Sequence, residues 1–193
     1  MKTLEYFFIS KVRIKILNLY FFDPEEAHHV RGVVRKVDEE INAVRRELVR
    51  MEKAKLLKSE KRGNRLYYVL RKDFKFYPEF FSLVHKSFGL GKAISSNRAK
   101  IGNVSFAILT GDYMRNIKNP HDEVDLVVIG DVDIDSLNEV VKSQQEFVGR
   151  EINYTVMSDD EFALRKKRND VFVLSILRDQ KIMLAGSEEN LVN

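Results

Sequence analysis

The stretch ILTGDYMRNIKNPHDEVDLVVIG, residues Ile108 to Gly130, holds two apolar runs separated by a polar segment with a glycine near its start. The first run begins at Val104 and ends at Thr110, and the second extends from Val124 to Ile129. Short runs rich in β-branched residues are typical of buried strands. The stretch therefore predicts two strands of one sheet, with acidic side chains gathered where the second strand begins.

The sequence that follows completes this sheet. Apolar runs at residues 152–157 and 181–186 predict two more strands, and helical periodicity covers residues 135–147 and 159–177. Strands that alternate with helices in so short a segment form a sheet with helices packed on it. Residues 101–193 are thus expected to be one domain with a small mixed sheet.

Ile108–Gly130 resembles the phosphate turn and metal-binding strand of the minimal nucleotidyltransferases of the DNA polymerase β superfamily. Members of that family have a strand, Gly-Ser, a turn that often carries Arg, and a strand that begins Asp-x-Asp, with a third carboxylate on a later strand. The resemblance covers about residues 100 to 187. It implies a nucleotidyltransferase-like domain that uses Mg²⁺ and a nucleoside triphosphate if its site is active.

Carried over position by position, the resemblance implies roles for six residues. Gly111, Asp112 and Arg115 would bind the nucleotide, Glu123 and Asp125 the metal, and Glu151 would be the third, catalytic carboxylate. Acids one residue apart on a strand project to the same face, where both can hold a cation that bridges a triphosphate.

Three positions depart from the family pattern. Asp112 stands where the family has Ser, Asn116 where glycine is common, and Glu123 is one methylene longer than Asp. A carboxylate at residue 112 would face the phosphates, and Mg²⁺ tolerates distorted octahedral geometry poorly. Two alternatives therefore stay open: Glu123 and Asp125 bind a metal, or they are acids at the edge of a strand with no metal.

Residues 1–72 carry a different pattern. The hairpin signal in LLKSEKRGNRLYYVLRKD, residues 56–73, has its turn at Arg62-Gly63-Asn64. Three short amphipathic helices precede it, with apolar positions at Ile9, Val12, Ile16, Leu17 and Tyr20, then Val30, Val33, Val34 and Val37, then Ile41, Val44, Leu48 and Met51. Three helices and a basic hairpin predict a winged helix-turn-helix domain, and the fold class of the chain is α+β with two domains.

ISKVRIKILNLYF, residues 9–21, and INAVRRELVRMEKAKLLKSEKRGNRLYYVL, residues 41–70, resemble the ArsR-like winged helix-turn-helix regulators. In a winged helix-turn-helix the third helix can lie in the major groove of double-stranded DNA while the wing reaches the backbone. The candidate DNA-binding residues are Asn42, Arg45, Arg46 and Arg50 on that helix and Lys61, Arg62 and Arg65 at the wing tip. The alternatives are a solvated basic surface and a protein-interaction module.

Two further features of residues 1–72 bear on its partners. Asp38, Glu39 and Glu40 lie in the turn that would approach the phosphates, and they either cap the third helix or weaken DNA binding. His28 and His29, next to Glu25 and Glu26, suggest a metal sensor, but adjacent histidines on a helix point about 100° apart and would not share one ion.

Residues 73–100 are expected to be a helical connector. Pro78 marks a helix start, and an aromatic stripe follows it up to Phe88. This stripe either covers the back of the winged helix, packs on the second domain, or pairs with a second copy of the chain in a homodimer.

Composition limits the class of protein. The chain has no cysteine, so it has neither disulfides nor a thiolate zinc site, and no apolar run is long enough to cross a membrane. With no signal peptide pattern, a cytoplasmic protein without a membrane partner is expected. The net charge is +11 over residues 1–100 and −7 over residues 101–193, which suggests two modules with different partners.

Two functions follow from these patterns. The first is a DNA-binding transcription regulator whose nucleotidyltransferase-like domain is degenerate and serves as a sensor or scaffold. The second is an active magnesium-dependent nucleotidyltransferase that transfers a nucleoside monophosphate to a protein or small-molecule hydroxyl. The departures at the phosphate turn favour the first function.

Overall fold

The protein is described by a computed structural model that covers residues 10–115, with side chains up to Met114, and residues 123–193. The chain divides into two compact units, with the boundary between Ser87 and Phe88. Each unit combines helices with its own sheet, so the protein is α+β, as predicted. The boundary falls inside the expected connector, so that residues 73–87 belong to the first unit and residues 88–100 to the second.

The first unit has the architecture of a winged helix-turn-helix. Its sheet is antiparallel, with strand order β1-β3-β2. Its elements are α1 (Lys11–Phe22), β1 (His28–His29), α2 (Val30–Val37), α3 (Ile41–Lys53), β2 (Leu57–Arg62), β3 (Arg65–Leu70) and α4 (Tyr77–Ser87).

Side-chain caps set the helix starts in this unit. The Ser10 hydroxyl accepts a hydrogen bond from the Arg13 N–H at 3.2 Å, as expected for an N-cap. His29 caps α2 by accepting from the Gly32 N–H at 2.7 Å. The expectation that His28 and His29 lie on a helix is wrong: they form β1, paired with Tyr68 and Tyr67. A two-residue strand is too short to show alternation in sequence.

The core of the first unit follows the predicted helical periodicity. Val44, Leu48 and Met51 of α3 are buried, and α4 packs on α1. The ring of Phe21 lies against those of Phe80 and Phe81, with centroids 6.2 and 6.3 Å away. Phe80 and Phe81 therefore contact the winged helix itself, which is one of the three partners considered for the aromatic stripe.

The second unit has a four-stranded mixed sheet in the order β6-β5-β4-β7, in which β5 and β6 are parallel and β4 is antiparallel to both neighbours. All four predicted strands are present, with boundaries shifted by up to three residues. The elements are α5 (Gly89–Ser96), α6 (Arg98–Ile101), β4 (Gly102–Leu109), α7 (Gly111–Arg115), β5 (Leu126–Val132), α8 (Ile134–Val148), β6 (Tyr154–Met157), α9 (Asp159–Lys167), α10 (Val171–Arg178), β7 (Ile182–Ala185) and α11 (Glu188–Val192).

The two central strands, β4 and β5, are buried on both faces. Consecutive residues Ala107, Ile108 and Leu109 are fully buried, and residues 126–129 are buried likewise. Ile108, Val127 and Ile129 belong to a core cluster that α9, α10 and α11 also line. Burial on both faces explains why these strands appear in sequence as continuous apolar runs without alternation.

The register of β4 and β5 brings their two polar flanking segments together. Leu109 is paired with Leu126, so Thr110 lies beside Asp125 and donates its backbone N–H to the Asp125 carbonyl at 3.0 Å. The Thr110 hydroxyl donates to the Val124 carbonyl at 2.6 Å. The start of α7 is thereby fixed next to the acids that precede β5. None of the helices within the described ranges combines the length and apolar character that crossing a membrane requires.

Candidate functional site

The outer face of α3 carries a group of exposed polar side chains. Asn42, Arg45, Arg46 and Arg50 are all exposed, and they lie opposite the buried positions of the same helix. Because these apolar positions repeat at helical spacing, one face packs in the core and the other faces solvent. The structure thus brings together on one surface the four α3 residues predicted to bind DNA.

The turn between β2 and β3 adds further basic groups to the first unit. Lys61, Arg62 and Arg65 are exposed beside Gly63, whose φ of +58° suits the tight turn. Arg62 pairs with Glu60 at 3.0 Å, and its guanidinium carbon lies 5.2 Å from the centre of the Tyr67 ring. The three predicted wing residues are therefore all accessible, and Arg62 already has an acidic partner.

The arginines of α3 differ in their surroundings. Arg50 pairs with the buried Glu47 at 3.0 Å, and Glu47 also accepts from Arg13 of α1 at 2.8 Å. In contrast, Arg45 and Arg46 form no ion pair with any residue that the structure describes. This face therefore presents two arginines without a direct ion pair among the described residues, although the charge of Arg46 helps to lower the pKa of Glu40.

Two of the three acids in the turn before α3 have partners within the first unit. Glu40 caps the helix, and its two carboxylate oxygens accept from the N–H groups of Asn42 and Ala43, both at 2.8 Å. These backbone hydrogen bonds lower the pKa of Glu40. Glu39 pairs with Lys15 at 2.7 Å, which leaves Asp38 exposed with φ of +50°. The capping role considered from sequence is confirmed for Glu40.

In the second unit, three of the predicted nucleotide and metal residues line a single cavity. Gly111, Asp112 and Glu123 contribute to a cavity of about 160 Å³, whose walls also include Phe172 and Lys181. Neither the side chain of Arg115 nor any part of Asn116 lies within the described residues. The cavity does not include Asp125 or Glu151 among its lining residues.

Asp125 is engaged by neighbouring protein groups. Its carboxylate accepts from the Asn153 N–H at 3.1 Å and lies 3.6 Å from Nη2 of Arg150. Burial raises the pKa of Asp125, since the residue is only 8% exposed; Arg150 and the Asn153 N–H oppose this shift, while Asp112 adds to it. The carboxylate therefore already has partners where the family resemblance would put a metal.

Arg150 is the functional residue that the sequence interpretation missed. Its guanidinium carbon lies 4.2 Å from the centre of the buried Tyr113 ring, a distance typical of a cation–π contact. Burial raises the pKa of Tyr113, and Arg150 opposes that shift. The sequence placed Arg150 just before the predicted strand at residue 152, but only the parallel pairing of β5 and β6 brings it next to Asp125.

Glu151 does not complete an acidic triad in the described arrangement. It is exposed, and it directly follows Arg150. Among residues 10–114 and 123–193, no group of three His, Asp or Glu side chains is placed to hold a metal ion. The described residues therefore offer no metal centre built from three such side chains.

These surfaces belong to a two-unit α+β protein with a winged-helix-like N-terminal unit. No family model matches the chain, and the comparison with curated proteins found no match. A solved structure that it resembles is the crystal structure of human N-acetylserotonin methyltransferase in complex with SAM, at 18% identity and a TM-score of 0.31. The match covers 64% of this chain and 37% of that one, and a likeness this distant carries no argument about function.

Proposed function

We propose that the protein binds double-stranded DNA through α3 and the β2–β3 wing and acts as a transcription regulator. In this proposal the second unit is a degenerate nucleotidyltransferase-like domain that serves as a sensor or scaffold. The observation that carries the proposal is the exposed basic surface of α3, where Arg45 and Arg46 have no ion-pair partner among the described residues.

Side-chain chemistry and charge both support DNA as the partner. Arg and Asn side chains have the donor groups that recognise guanine and adenine in the major groove, and lysine or arginine at a wing tip suits phosphate. Counted over the two units, the net charge is +8 for residues 1–87 and −4 for residues 88–193. The basic unit is therefore the one suited to a polyanion.

The acidic turn is compatible with this proposal. Glu40 and Glu39 have partners within the first unit, at the α3 N-terminus and at Lys15. Their negative charges are offset locally, so the repulsion of an approaching phosphate is reduced. Asp38 and Glu40 are both exposed, but Glu40 is held at the α3 N-terminus by its two hydrogen bonds.

The test is the affinity of the full chain for duplex DNA, measured by fluorescence anisotropy at several salt concentrations. Arg45→Ala and Arg46→Ala should each weaken binding by about 1 kcal/mol or more, roughly five- to tenfold. Arg50→Ala should weaken it less, because Glu47 already offsets the Arg50 charge. A smaller loss of affinity for Arg50→Ala than for Arg45→Ala and Arg46→Ala would distinguish direct DNA contacts from a general effect of removing positive charge.

Lys142→Ala is a matched control, since it removes an exposed cation from α8 of the second unit. Its affinity for DNA should equal that of the wild type. Failure of the wild-type protein to retain any duplex at low salt, or an equal loss in all four variants, would overturn the proposal. A random-sequence duplex measured in parallel reports the nonspecific part of the affinity.

A magnesium-dependent nucleotidyltransferase is the second candidate function. It is favoured by the common cavity of Gly111, Asp112 and Glu123, and opposed by the partners of Asp125. Purified protein incubated with radiolabelled nucleoside triphosphates and Mg²⁺ would label an acceptor if this function holds, and Asp125→Ala would abolish the label. Absence of both labelling and magnesium-dependent nucleotide binding by calorimetry would remove this candidate.

A further inference from the structure

We infer that the guanidinium of Arg150 takes the place of a divalent cation at Asp125, so that the acidic site of the second unit is a metal-independent ion pair. This inference rests on the part of the proposed function that treats the second unit as a degenerate nucleotidyltransferase-like domain. It does not depend on DNA binding by the first unit.

The first support is that both oxygens of the Asp125 carboxylate have partners. Oδ2 accepts from the Asn153 N–H at 3.1 Å, and Oδ1 lies 3.6 Å from Nη2 of Arg150. The side chain of Asp125 is 12% exposed and that of Arg150 is 20% exposed. A largely buried carboxylate needs a compensating positive charge, and here a side chain of the same unit supplies it.

The second support is that Arg150 is itself held in position. Its guanidinium lies over the ring of Tyr113, which belongs to α7, the short helix that forms where the sequence predicted a phosphate turn. A planar guanidinium can stack on an aromatic ring while it faces a carboxylate in its own plane. Arg150 thus connects three segments: α7, the start of β5, and the residues that precede β6.

These contacts have a consequence for metal binding. A divalent ion at Asp125 would approach the guanidinium at close range, where the two positive charges repel each other in a site of reduced dielectric. To bind, the ion would have to displace Arg150 from both Asp125 and Tyr113. The protein therefore stabilises the empty, metal-free form of this site.

The first experiment measures Mn²⁺ binding to the full-length protein by the enhancement of water-proton relaxation. Mn²⁺ is used as the probe because it is paramagnetic and prefers the same oxygen ligands as Mg²⁺. The expected result is that wild type and Asp125→Asn give the same relaxation at every Mn²⁺ concentration. Binding to the wild type that Asp125→Asn abolishes would overturn the inference.

The second experiment measures the coupling of the two residues by thermal unfolding of the full chain. Arg150→Met removes the charge and keeps most of the side-chain volume, so it leaves Asp125 buried without a cation and should lower the melting temperature. Adding Asp125→Asn to Arg150→Met should recover part of that loss, because the uncompensated charge is gone. Additive losses in the double variant would contradict a direct ion pair.

Arg150→Lys covers the case in which Arg150→Met does not fold. It keeps the positive charge but loses the planar stacking group, so its melting temperature should lie between those of wild type and Arg150→Met, or below wild type if the latter is unfolded. A melting temperature equal to wild type would show that the guanidinium is not required.

These results are distinguishable from a failure of the proposed function. Loss of DNA affinity in Arg45→Ala and Arg46→Ala tests the first unit and leaves Mn²⁺ binding unaffected. An Asp125-dependent Mn²⁺ site would overturn the role of Arg150 while the DNA affinity remained. Absence of both Mn²⁺ and DNA binding would keep the inference and refute the proposed regulator.

Discussion

Glu47 is a buried carboxylate that joins two helices of the first unit. It is 4% exposed and interacts with Arg13 of α1 and Arg50 of α3. Burial alone would raise its pKa, but the hydrogen bonds from Arg13 and Ser10 and the charge of Arg50 outweigh burial, and the pKa is lowered. A carboxylate with a lowered folded-state pKa stabilises the fold above its unfolded pKa, about 4.3, and loses that contribution as the pH falls through the folded-state value.

We therefore expect Glu47→Gln to lower the free energy of unfolding at pH 7 by about 2 kcal/mol, the scale of hydrogen bonds to charged groups. The difference from wild type should begin to shrink as the pH falls below the unfolded-state pKa of about 4.3, and it should be lost as the pH falls through the lowered pKa of the folded state. Urea unfolding of the full chain, followed by circular dichroism at a series of pH values, measures it. Glu139→Gln, at an exposed position of α8, is the control, and a pH-independent difference for Glu47→Gln would disprove the role of its charge.

Single residues show where sequence interpretation succeeds and where it stops. Glu40 was predictable as a cap, because the cap bonds its own neighbours along the chain. The partnership of Asp125 with Arg150 was not, because it joins residues that are distant in sequence and adjacent only through the parallel pairing of β5 and β6. The sequence placed the acid correctly at the start of a strand, but its burial and the identity of its counter-charge depend on tertiary structure.

Gly130 ends the stretch that predicted the sheet, and it occupies a position that no other residue suits. Its φ is +142°, and a Cβ there would lie 2.1 Å from the carbonyl oxygen of Asn103 on the neighbouring strand. The register of β4 shifts between Val104 and Phe106, opposite this glycine. A strand glycine at such an irregularity allows the two backbones to approach closely.

Gly130→Ala should therefore lower the free energy of unfolding by about 3 kcal/mol or more, because the methyl group collides with backbone that is fixed by strand pairing. Gly149→Ala is the matched control: Gly149 also has positive φ, +68°, but a Cβ there meets no atom within 4 Å. Gly149→Ala should lower the free energy of unfolding by only about 1 kcal/mol, the cost of placing Ala in the left-handed conformation. Equal melting temperatures for the two variants would mean that β4 and β5 separate easily at this point.

Helices and strands of the chain were predictable in proportion to their length and periodicity. The four strands of the second unit and the helices α1 to α3 were identified, since continuous apolar runs and helical spacing are local signals. The strand β1 was missed because two residues show no period. The helices α5 and α6 lie within the expected helical connector, but their bounds were not predicted because the glycines of residues 89–91 obscure a helical pattern. Short elements are specified by their partners in the fold.

The division of charge between the two units makes a quantitative prediction for the whole chain. In the first unit, the predicted DNA contacts without an ion pair among the described residues are Arg45, Arg46, Lys61 and Arg65. Each cation that neutralises a phosphate lowers the slope of log K against log salt by about 0.9. The second unit is net acidic and is not expected to add to the slope.

The slope should be about −4 if one chain binds the duplex and about −7 if a homodimer binds two half-sites, as we expect for a helix-turn-helix protein. Anisotropy titrations over a range of salt concentrations give the slope, and sedimentation of the complex gives the number of chains bound. The Arg45→Ala, Arg46→Ala double variant should reduce the slope by about 2 for each bound chain. A slope near zero in the wild type would rule out electrostatic contact with DNA, and the basic surface of α3 would then be an ordinary solvated face.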